Sequence, residues 1–469
     1  MSAEVQPKPK VIGYLPNDTP PIGAMLSLGF QQFLTMFPAT VLVAALTKFD
    51  VGMTLMASGL GTIIALLVAK RKIPMYYGSS FSYIAVIITV MSKFAPACFS
   101  DPTQFYCADG VRIAQVGILL TGVFEIAIGF LIMRIGKSAL DKILPPIITG
   151  SMAMVIGVAL AGAALNNASG ISVKAGPDMA WKFWVVALIT LVATILFSVY
   201  LRGKGLLGML PILLGAIFGY IVAIPFGGLV NFQNVAAAPW LALPKWTFPA
   251  FSDPAAWGMA LSVALIFIAT VPESTAHLYQ MSLYIDTLAN ELGRKPFEIK
   301  NLIGLNLVAD GSDDLVNGLL GGCAGTNYGE NNSLMAITRN YSTSVLMTAG
   351  IMAIVLGFFG KLVALVNTLP VPVQGGLSIY LFGVIGMQGV ALIQSEKVNL
   401  FDPKQLAVGA VILICGIGGN LALPNGLFPF KIPYLFPSGI PAIVFAAILG
   451  ILLNLIFVIF KTPEVSEAE

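Results

Sequence analysis

A short polar stretch in a strongly apolar chain holds the residues best suited to chemistry. Residues 325–339 read Gly-Thr-Asn-Tyr-Gly-Glu-Asn-Asn-Ser-Leu-Met-Ala-Ile-Thr-Arg, so that Glu330 is followed by two asparagines. A carboxylate near the middle of a bilayer costs roughly 3 kcal/mol on insertion scales, and each polar group there needs a partner. If this stretch lies in a membrane span, its composition predicts a ligand site.

Glu330 follows Gly329 at the expected start of a half-helix. Free backbone N–H groups and the positive end of the helix dipole lie at such a start, and they suit a carbonyl or anionic group. The alternative is that Glu330 caps the helix and stabilises the break. For Asn331 and Asn332, contact with ligand and support of the broken backbone are equally good interpretations.

A second pair of ionisable residues lies in the expected eighth span. Glu273 and His277, the only histidine, are four residues apart and therefore share one helix face. An ionisable residue inside a span is a functional candidate by default, which favours a substrate and proton site. The alternative is a neutralised pair that holds two helices together.

These residues define the chemistry of a ligand. Glu273 and Glu330 accept hydrogen bonds when ionised, and the N–H groups at a half-helix start donate them. Phe81 can stack on a flat ring, although it can equally serve in core packing. The combination predicts a small planar amide-like ligand, a description that both a pyrimidine-dione and xanthine fit.

Other acidic residues carry weaker signals. Asp310, Asp313 and Asp314 are expected near a cytoplasmic end of span nine, with solvated or helix-capping roles. Glu125 is alone in an apolar span, and the sequence assigns it no role.

The four cysteines are too few for a disulfide scaffold. Cys323 and Cys415 lie in apolar spans, where packing roles are expected. Cys98 and Cys107 share a polar loop, which can form a short-range disulfide if it faces an oxidising compartment. No Cys/His cluster has metal-ligand spacing, so neither a metal nor another cofactor is expected.

The composition identifies a polytopic membrane protein. Hydrophobic residues make up 57% of the 469 residues and charged residues 10%, far from the composition of soluble domains. The 48 glycines and 29 prolines suit close helix packing and broken helices. A net charge of +3 without a basic block does not indicate a nucleic-acid partner.

About 14 transmembrane spans fit the hydrophobic pattern, at roughly 20 residues each. They are predicted near 23–47, 51–70, 73–95, 111–133, 143–165, 181–201, 205–227, 257–280, 300–322, 324–344, 345–366, 369–391, 405–421 and 434–460. This assignment places 17 of the 25 Lys and Arg residues on one side of the membrane and 8 on the other. Because positive residues concentrate on the cytoplasmic side, both termini are predicted to be cytoplasmic, as segments 1–22 and 461–469.

Two spans, 73–95 and 324–344, are predicted to be broken into a short strand and a half-helix. Their sequences match at Tyr77-Gly78 and Tyr328-Gly329. Further matches follow the same order: Leu144-Pro145 with Leu369-Pro370, and Ser58-Gly59 with Asp310-Gly311. They predict two seven-span repeats, 23–227 and 257–460, joined by an extracytoplasmic loop at 228–256. An odd number of spans makes the repeats inverted, with a binding site near the bilayer midplane.

The stretch from Glu330 to Arg339 resembles the signature of the nucleobase–ascorbate transporter family. The resemblance extends through nearly the whole chain, including Gly78–Phe81, Pro272-Glu273 with His277, and Gly-Val-Ile-Gly at 383–386. Glu at the first signature position is typical of the bacterial uracil:proton symporters, whereas purine permeases usually have Gln.

The resemblance implies a fold, a set of site residues and an activity. Spans 1–4 and 8–11 would form a core domain, and spans 5–7 and 12–14 a gate domain, often in a dimer. Glu273 and Glu330 would bind the base, Phe81 and Tyr328 would flank it, and Gly329 would offer its amide. The proton-coupled network would contain the residues His277, Glu273, Asn331, Gln32 and Thr338.

Two positions depart from the family pattern. Ser333 replaces the signature glycine, and Gln32 stands where close relatives often have histidine. The overall expectation is a bacterial inner-membrane carrier that imports uracil or a related nucleobase with protons. The alternatives are a purine permease or anion carrier of the same fold, a non-transporting nucleobase sensor, and a membrane-embedded enzyme. No nucleophile or metal constellation supports an enzyme.

Overall fold

The computed structural model describes residues 13–101, 103–136, 142–202, 204, 207–208, 210–432, 436 and 439–460. Of the predicted cytoplasmic ends 1–22 and 461–469, residues 1–12 and 461–469 lie outside the described residues. The described chain is mainly helical, with two small two-stranded sheets.

The first half contains ten helices within the described residues. They are α1 Ile22–Thr47, α2 Val51–Val68, α3 Ile84–Phe94, α4 Pro96–Ser100, α5 Ala108–Ile135, α6 Pro146–Ala159, α7 Ala161–Ser169, α8 Pro177–Tyr200, α9 Pro211–Ala223 and α10 Gln233–Ala237. Strand β1, Tyr77–Ser79, precedes α3, and a 3-10 turn at Phe81–Tyr83 joins the two.

The second half, in its described residues, repeats the pattern of a strand followed by a short helix. Its helices are α11 Pro254–Ala264, α12 Phe267–Glu291, α13 Ile303–Leu320, α14 Gly329–Thr338, α15 Thr343–Gly357, α16 Gly360–Asn367, α17 Val371–Ser395, α18 Pro403–Leu413, α19 Gly419–Ala422 and α20 Ala442–Ile459. Strand β2, Gly325–Asn327, precedes α14, and β3 Leu427–Phe428 pairs with β4 Ile440–Pro441.

The predicted fold class is confirmed. In the described part of the chain, eight helical segments are long and apolar enough to cross a membrane. Each of the fourteen predicted spans overlaps at least one helix. Two boundaries were wrong. The last span begins at Ala442 rather than 434, because β4 precedes it, and the eighth continues to Glu291 after an interruption between α11 and α12.

The two broken spans meet at a single pair of strands. Strand β1 runs antiparallel to β2, with Tyr77 opposite Asn327 and Ser79 opposite Gly325. The pairing continues beyond the strands, because the Tyr328 amide donates to the Tyr76 carbonyl at 2.9 Å. The strands thus provide hydrogen-bond partners for part of each other's backbone N–H and C=O groups, in a region where no regular helix provides them.

Side chains from the neighbouring helices complete the hydrogen bonding of these strands. Ser58 and Thr62 of α2 both donate to the Tyr77 carbonyl, at 2.7 and 2.9 Å. On the other strand, the Gly325 amide donates to Oδ1 of Asp314, on α13, at 2.7 Å. Helices α2 and α13 therefore hold corresponding positions beside the two strands, as the Ser58-Gly59 and Asp310-Gly311 match predicts.

Three helix pairs approach closely through facing glycines. A Cβ atom added at Gly122 would lie 2.5 Å from the Gly311 carbonyl, and one at Gly150 would lie 2.8 Å from the Gly389 carbonyl. Among the facing pairs are Gly122 with Gly311, Gly59 with Gly350, and Gly150 with Gly389. They join α5 to α13, α2 to α15 and α6 to α17. In an inverted repeat, the symmetry relates the α5–α13 pair to the α2–α15 pair, and it relates the α6–α17 pair to itself. The three glycine contacts therefore support the predicted repeats.

The helices form two groups by their contacts. One group contains α1, α2, α3, α5 and α11–α16, and the other contains α6–α9 and α17–α20. Helices α12 and α6 touch across the boundary. These groups correspond to the predicted core and gate, whose domain roles stay a prediction.

A polar loop between α3 and α5 carries a disulfide. Cys98 and Cys107 are bonded, and the Lys48 ammonium donates to the Cys98 carbonyl at 3.1 Å and to the Asp101 carbonyl. Cys323 is buried and Cys415 half-buried, with no disulfide. The loop is thus tied to the end of α1.

The close approach of α5 and α13 gives a test of the fold. A Cβ at Gly129 would lie 2.6 Å from the Gly304 carbonyl, whereas one at Gly162 has nothing within 4 Å. Gly129→Leu should lower the stability by ~1–3 kcal/mol through overpacking. The matched control Gly162→Leu should leave it nearly unchanged. Apparent melting temperatures in detergent measure both, and equal values would contradict the packing of α5 on α13.

Candidate functional site

The start of α14 is built by an extended residue followed by glycine. Tyr328 has φ −93° and ψ 121°, and the helix begins at Gly329 with Glu330 in its first turn. The Glu330 side chain is exposed, as is Ser333 one turn later. The Ser333 hydroxyl donates to the Gly329 carbonyl at 3.0 Å, so this departure from the family pattern is bonded to its own helix. Acidic Glu330 and the helix start thus face the same open side.

His277 of α12 lies directly against this helix start. A Cβ atom added at Gly329 would be 2.8 Å from Nε2 of His277. The other ring nitrogen, Nδ1, is 2.7 Å from Oδ1 and 3.1 Å from the carbonyl oxygen of Asn327. The Asn327 amide nitrogen donates to Ser274 at 2.6 Å, which fixes Oδ1 towards the ring. Nδ1 is therefore the donor, and Nε2 faces Gly329.

Glu273 completes a group of three ionisable residues from two elements. It lies one turn from His277 on α12, is half-buried, and interacts electrostatically with both His277 and Glu330. The structure thus brings together the carboxylates and the imidazole that the sequence singles out. Such a group can accept hydrogen bonds from a ligand and exchange a proton.

Phe81 lies where the two helix groups meet. Its ring is half-buried and stands edge-on to Phe382 of α17, with the ring centroids 6.1 Å apart. Phe382 was not predicted as a site residue, although it directly precedes the Gly-Val-Ile-Gly run at 383–386. Its proximity to Phe81 comes from the contact between the two repeats, which no local pattern encodes.

Tyr328 is more buried than expected for an aromatic residue that flanks a ligand. Its side chain is 4% exposed, and its hydroxyl donates to the Ser79 carbonyl at 2.9 Å and accepts from Thr40 at 3.0 Å. The ring also covers Gly78, where a Cβ would lie 2.6 Å from it. In this structure the side chain locks the strand pair to α1.

Asn331 joins α14 to the first helix. Its amide nitrogen donates to both the backbone carbonyl and Oε1 of Gln32, at 2.9 and 2.7 Å. Thr338 lies at the other end of α14, and its hydroxyl donates to the Leu334 carbonyl within the same helix at 2.8 Å. Two of the predicted network residues therefore touch each other, and Thr338 lies apart from them.

The expected solvated position of three aspartates was wrong. Asp310, Asp313 and Asp314 are at most 1% exposed and lie inside α13, not at a cytoplasmic end. The physical reason is that α13 packs between α2 and α5, which bury it from both sides. Sequence analysis also missed Ser274 and Asn327, whose only signal was that they are polar residues inside apolar spans.

A helical membrane fold whose two broken spans meet beside a carboxylate-lined helix start is typical of secondary transporters. The profile of a permease family, Xan_ur_permease, matches residues 23–424. The chain belongs to this family, the nucleobase–ascorbate transporters. The family is one of transporters, so the prediction that the chain is not an enzyme is confirmed.

Individual relatives cover almost the whole chain. A uracil permease of Bacillus caldolyticus is 36% identical over 94% of this chain and 93% of its own length. A uracil permease of Escherichia coli is 33% identical over 86% of each chain.

Solved structures share the fold at lower identity. The transmembrane domain of the cyanobacterial bicarbonate transporter BicA matches with a TM-score of 0.53 and 16% identity, over 92% of this chain and 96% of that one. The SLC26A9 structure matches with a TM-score of 0.63 and 13% identity, over 94% and 66%. These likenesses support the fold alone.

The two adjacent asparagines give a matched test of the site. Asn331→Leu would leave the two buried oxygens of Gln32 without this donor, at a cost of ~1–3 kcal/mol for an unsatisfied group. Neither amide atom of the buried Asn332 has a hydrogen-bond partner, so Asn332→Leu should not destabilise the protein. Melting temperatures in detergent measure the difference. A larger loss at Asn332 would refute the tie between α1 and α14.

Proposed function

We propose that this chain imports uracil or a closely related nucleobase together with protons, using the site between Glu273, Gly329 and Glu330. The observation that carries the proposal is the convergence of two carboxylates and the His277 imidazole on the start of α14. Uracil alternates N–H and C=O groups around a flat ring. It therefore matches carboxylate acceptors and the donors of a helix start.

The relatives support a pyrimidine ligand. Several similar proteins, including those of Bacillus caldolyticus and Escherichia coli, are named uracil permeases. Glu330 is consistent with this choice, because two carboxylates accept from two ring N–H groups. Phe81 is half-buried and lies beside Phe382 of the predicted gate. Its ring offers an aromatic surface on which the uracil ring can stack.

Proton coupling would involve Glu273 and His277. The Nδ1 proton of His277 is held by Asn327, so Nε2 is the nitrogen available to take up a proton beside Gly329. Protonation there would change the charge next to both carboxylates and thus the affinity for ligand. Gln32 does not titrate; it would support this site by accepting hydrogen bonds from Asn331. This supporting role does not require a histidine at position 32.

Alternating access would move one helix group against the other. The Phe81–Phe382 contact joins α17 to the residues just before α3, so this aromatic pair would change partners during the movement. A homodimer, an inner-membrane location and cytoplasmic termini belong to the same proposal. The family resemblance implies the homodimer and the inner-membrane location, and the distribution of Lys and Arg residues predicts the cytoplasmic termini.

Uptake of radiolabelled uracil into proteoliposomes tests the substrate. Glu330→Gln should reduce kcat/KM by about tenfold to hundredfold, because a hydrogen bond to a charged group contributes ~1.5–3 kcal/mol. Glu396→Gln, at an exposed position following α17, is the matched control and should transport normally.

Absence of uracil uptake by folded wild-type protein would reject the pyrimidine assignment. Xanthine and urate uptake would then distinguish a purine permease. Binding of uracil without accumulation would instead indicate a sensor.

An ion-gradient experiment tests the coupling separately. An inward proton gradient should drive uracil accumulation, and a protonophore should abolish it, because symport links uracil entry to proton entry. A sodium gradient at equal pH is the control and should not drive accumulation. Accumulation driven by sodium alone would reject proton coupling and keep the substrate.

A further inference from the structure

A row of exposed aromatic side chains lies on the chain that joins the two predicted repeats. Three of the five tryptophans of the protein are found between residues 240 and 257, and we call these residues the aromatic segment. Its outward rings, each between 41% and 67% exposed, belong to Trp240, Trp246, Phe248, Phe251 and Trp257. Leu241 and Leu243 are more exposed still. An apolar surface of this kind marks a site of interaction with another molecule or with a membrane.

Most of these rings contact one another in chain order. The ring centroids of Trp246 and Phe248 are 6.2 Å apart, and those of Phe248 and Phe251 are 5.7 Å apart. Phe251 in turn lies 6.3 Å from Trp257. The rings therefore form one continuous apolar surface instead of a set of isolated exposed side chains.

Hydrogen bonds fix the aromatic segment at the ends of two packed helices. Gln115, near the start of α5, donates both to the Thr247 carbonyl at 2.9 Å and to the Gly318 carbonyl near the end of α13 at 2.8 Å. The indole Nε1 of Trp246 donates to the carbonyl of Leu319, also at the end of α13, at 3.2 Å. The segment therefore crosses the start of α5 and the end of α13, which lie side by side.

The ends of two further helices lie on the same face. The Lys245 amide donates at 3.2 Å to Oδ1 of Asp50, which is the N-cap of α2. The Ala242 amide donates at 2.9 Å to the carbonyl of Phe358, directly after α15. Helices α2 and α5 are long and apolar enough to cross a membrane, so their ends mark its boundary. The aromatic segment thus lies at the level of that boundary, on the face predicted to be extracytoplasmic.

The exposed parts of the two central indoles are apolar. The Nε1 group of Trp246 is bonded to the Leu319 carbonyl, and that of Trp257 donates to the Phe251 carbonyl at 2.8 Å. Both polar N–H groups are therefore satisfied within the protein, and ring carbon is what remains exposed. Tryptophan is enriched at membrane–water interfaces because its large ring is mainly apolar and has one polar edge.

The aromatic surface continues onto the outer sides of the spans. Leu319, which accepts from Trp246, is itself 48% exposed. Trp257 lies in the first turn of α11, whose residues Ala256 and Ala260 are buried where this helix packs on α5. Trp257 is therefore on the side of α11 that faces away from the protein. In a membrane protein this outer side is the one that lipid covers, which favours the bilayer as the partner of the whole surface.

We propose that the aromatic segment, residues 240–257, is embedded in the headgroup region of the outer leaflet and anchors the protein there. The predicted connecting loop would then lie in the membrane interface and not in water. The segment is bonded to α2, α5, α13 and α15, all of which belong to one helix group, so the anchor holds this group at the outer boundary of the bilayer. This inference goes beyond the proposed function and depends on neither the substrate nor the coupling ion.

Quenching of tryptophan fluorescence in vesicles tests the anchor. The substitutions Trp181→Phe, Trp184→Phe and Trp240→Phe leave Trp246 and Trp257 as the remaining tryptophans. This triple variant is reconstituted into phosphatidylcholine vesicles whose lipids carry a spin label either near the ester groups or near the chain end. The label near the ester groups should remove the larger part of the fluorescence, and the label near the chain end a smaller part. Iodide on both sides of the membrane should remove little.

A tryptophan in a polar loop provides the matched control. Position 295 is exposed in the segment between α12 and α13, so Lys295→Trp in a background with no other tryptophan reports a water-exposed ring. Its fluorescence should be quenched mainly by iodide. Thermal melting checks folding of each variant. If the triple variant does not fold, the difference in quenching between the wild type and the double variant Trp246→Phe/Trp257→Phe measures the same two rings.

Two outcomes would overturn the anchor. Iodide quenching of Trp246 and Trp257 as strong as in the Lys295→Trp control would place the segment in water. Resistance of both rings to iodide and to both lipid labels would show that protein covers them, as a second copy of the chain would. Failure of the proposed function has a different signature, because uracil uptake would be absent while quenching by the lipid labels is kept.

Discussion

The fold depends on satisfying the backbone where the two broken spans meet. In a bilayer, backbone groups outside a helix need partners within the protein. Here β1 and β2 supply partners for each other, and Ser58, Thr62 and Asp314 supply further ones. This arrangement leaves the start of α14 open to one side. The proposed site for a polar ligand is thus a consequence of how the break is stabilised.

Facing glycines make this arrangement tightly packed. Because Gly122 and Gly311 have no side chains between them, α5 and α13 approach until their backbones touch, and Gly59 does the same for α2 with α15. The close approach of α2, α5 and α13 buries the polar residues that hold the strands. It also brings Glu125 next to aspartates almost two hundred positions away in the chain, so tight packing and buried charge have one structural origin.

The polar residues that hold the strand backbone also orient residues of the proposed site. Asn327 pairs with Tyr77 through its backbone, orients His277 through its side-chain oxygen, and reaches Ser274 through its nitrogen. A change at the proposed ligand site can therefore reach the strand pair and Ser274 through these hydrogen bonds. The Tyr328 hydroxyl, by contrast, donates to the Ser79 carbonyl, and this side chain mainly holds the two strands together.

The sequence by itself determined the membrane class, the broken spans and the candidate residues Glu273, His277 and Glu330. These follow from hydrophobic spans, paired Tyr-Gly positions and ionisable residues at helical spacing, all of which are local patterns. Only the tertiary structure decided that Asp310 and its neighbours are buried and that Phe382 meets Phe81. Those facts depend on contacts between residues far apart in the chain. Burial of a helix on two sides and the meeting of two repeats leave no local periodicity in the sequence.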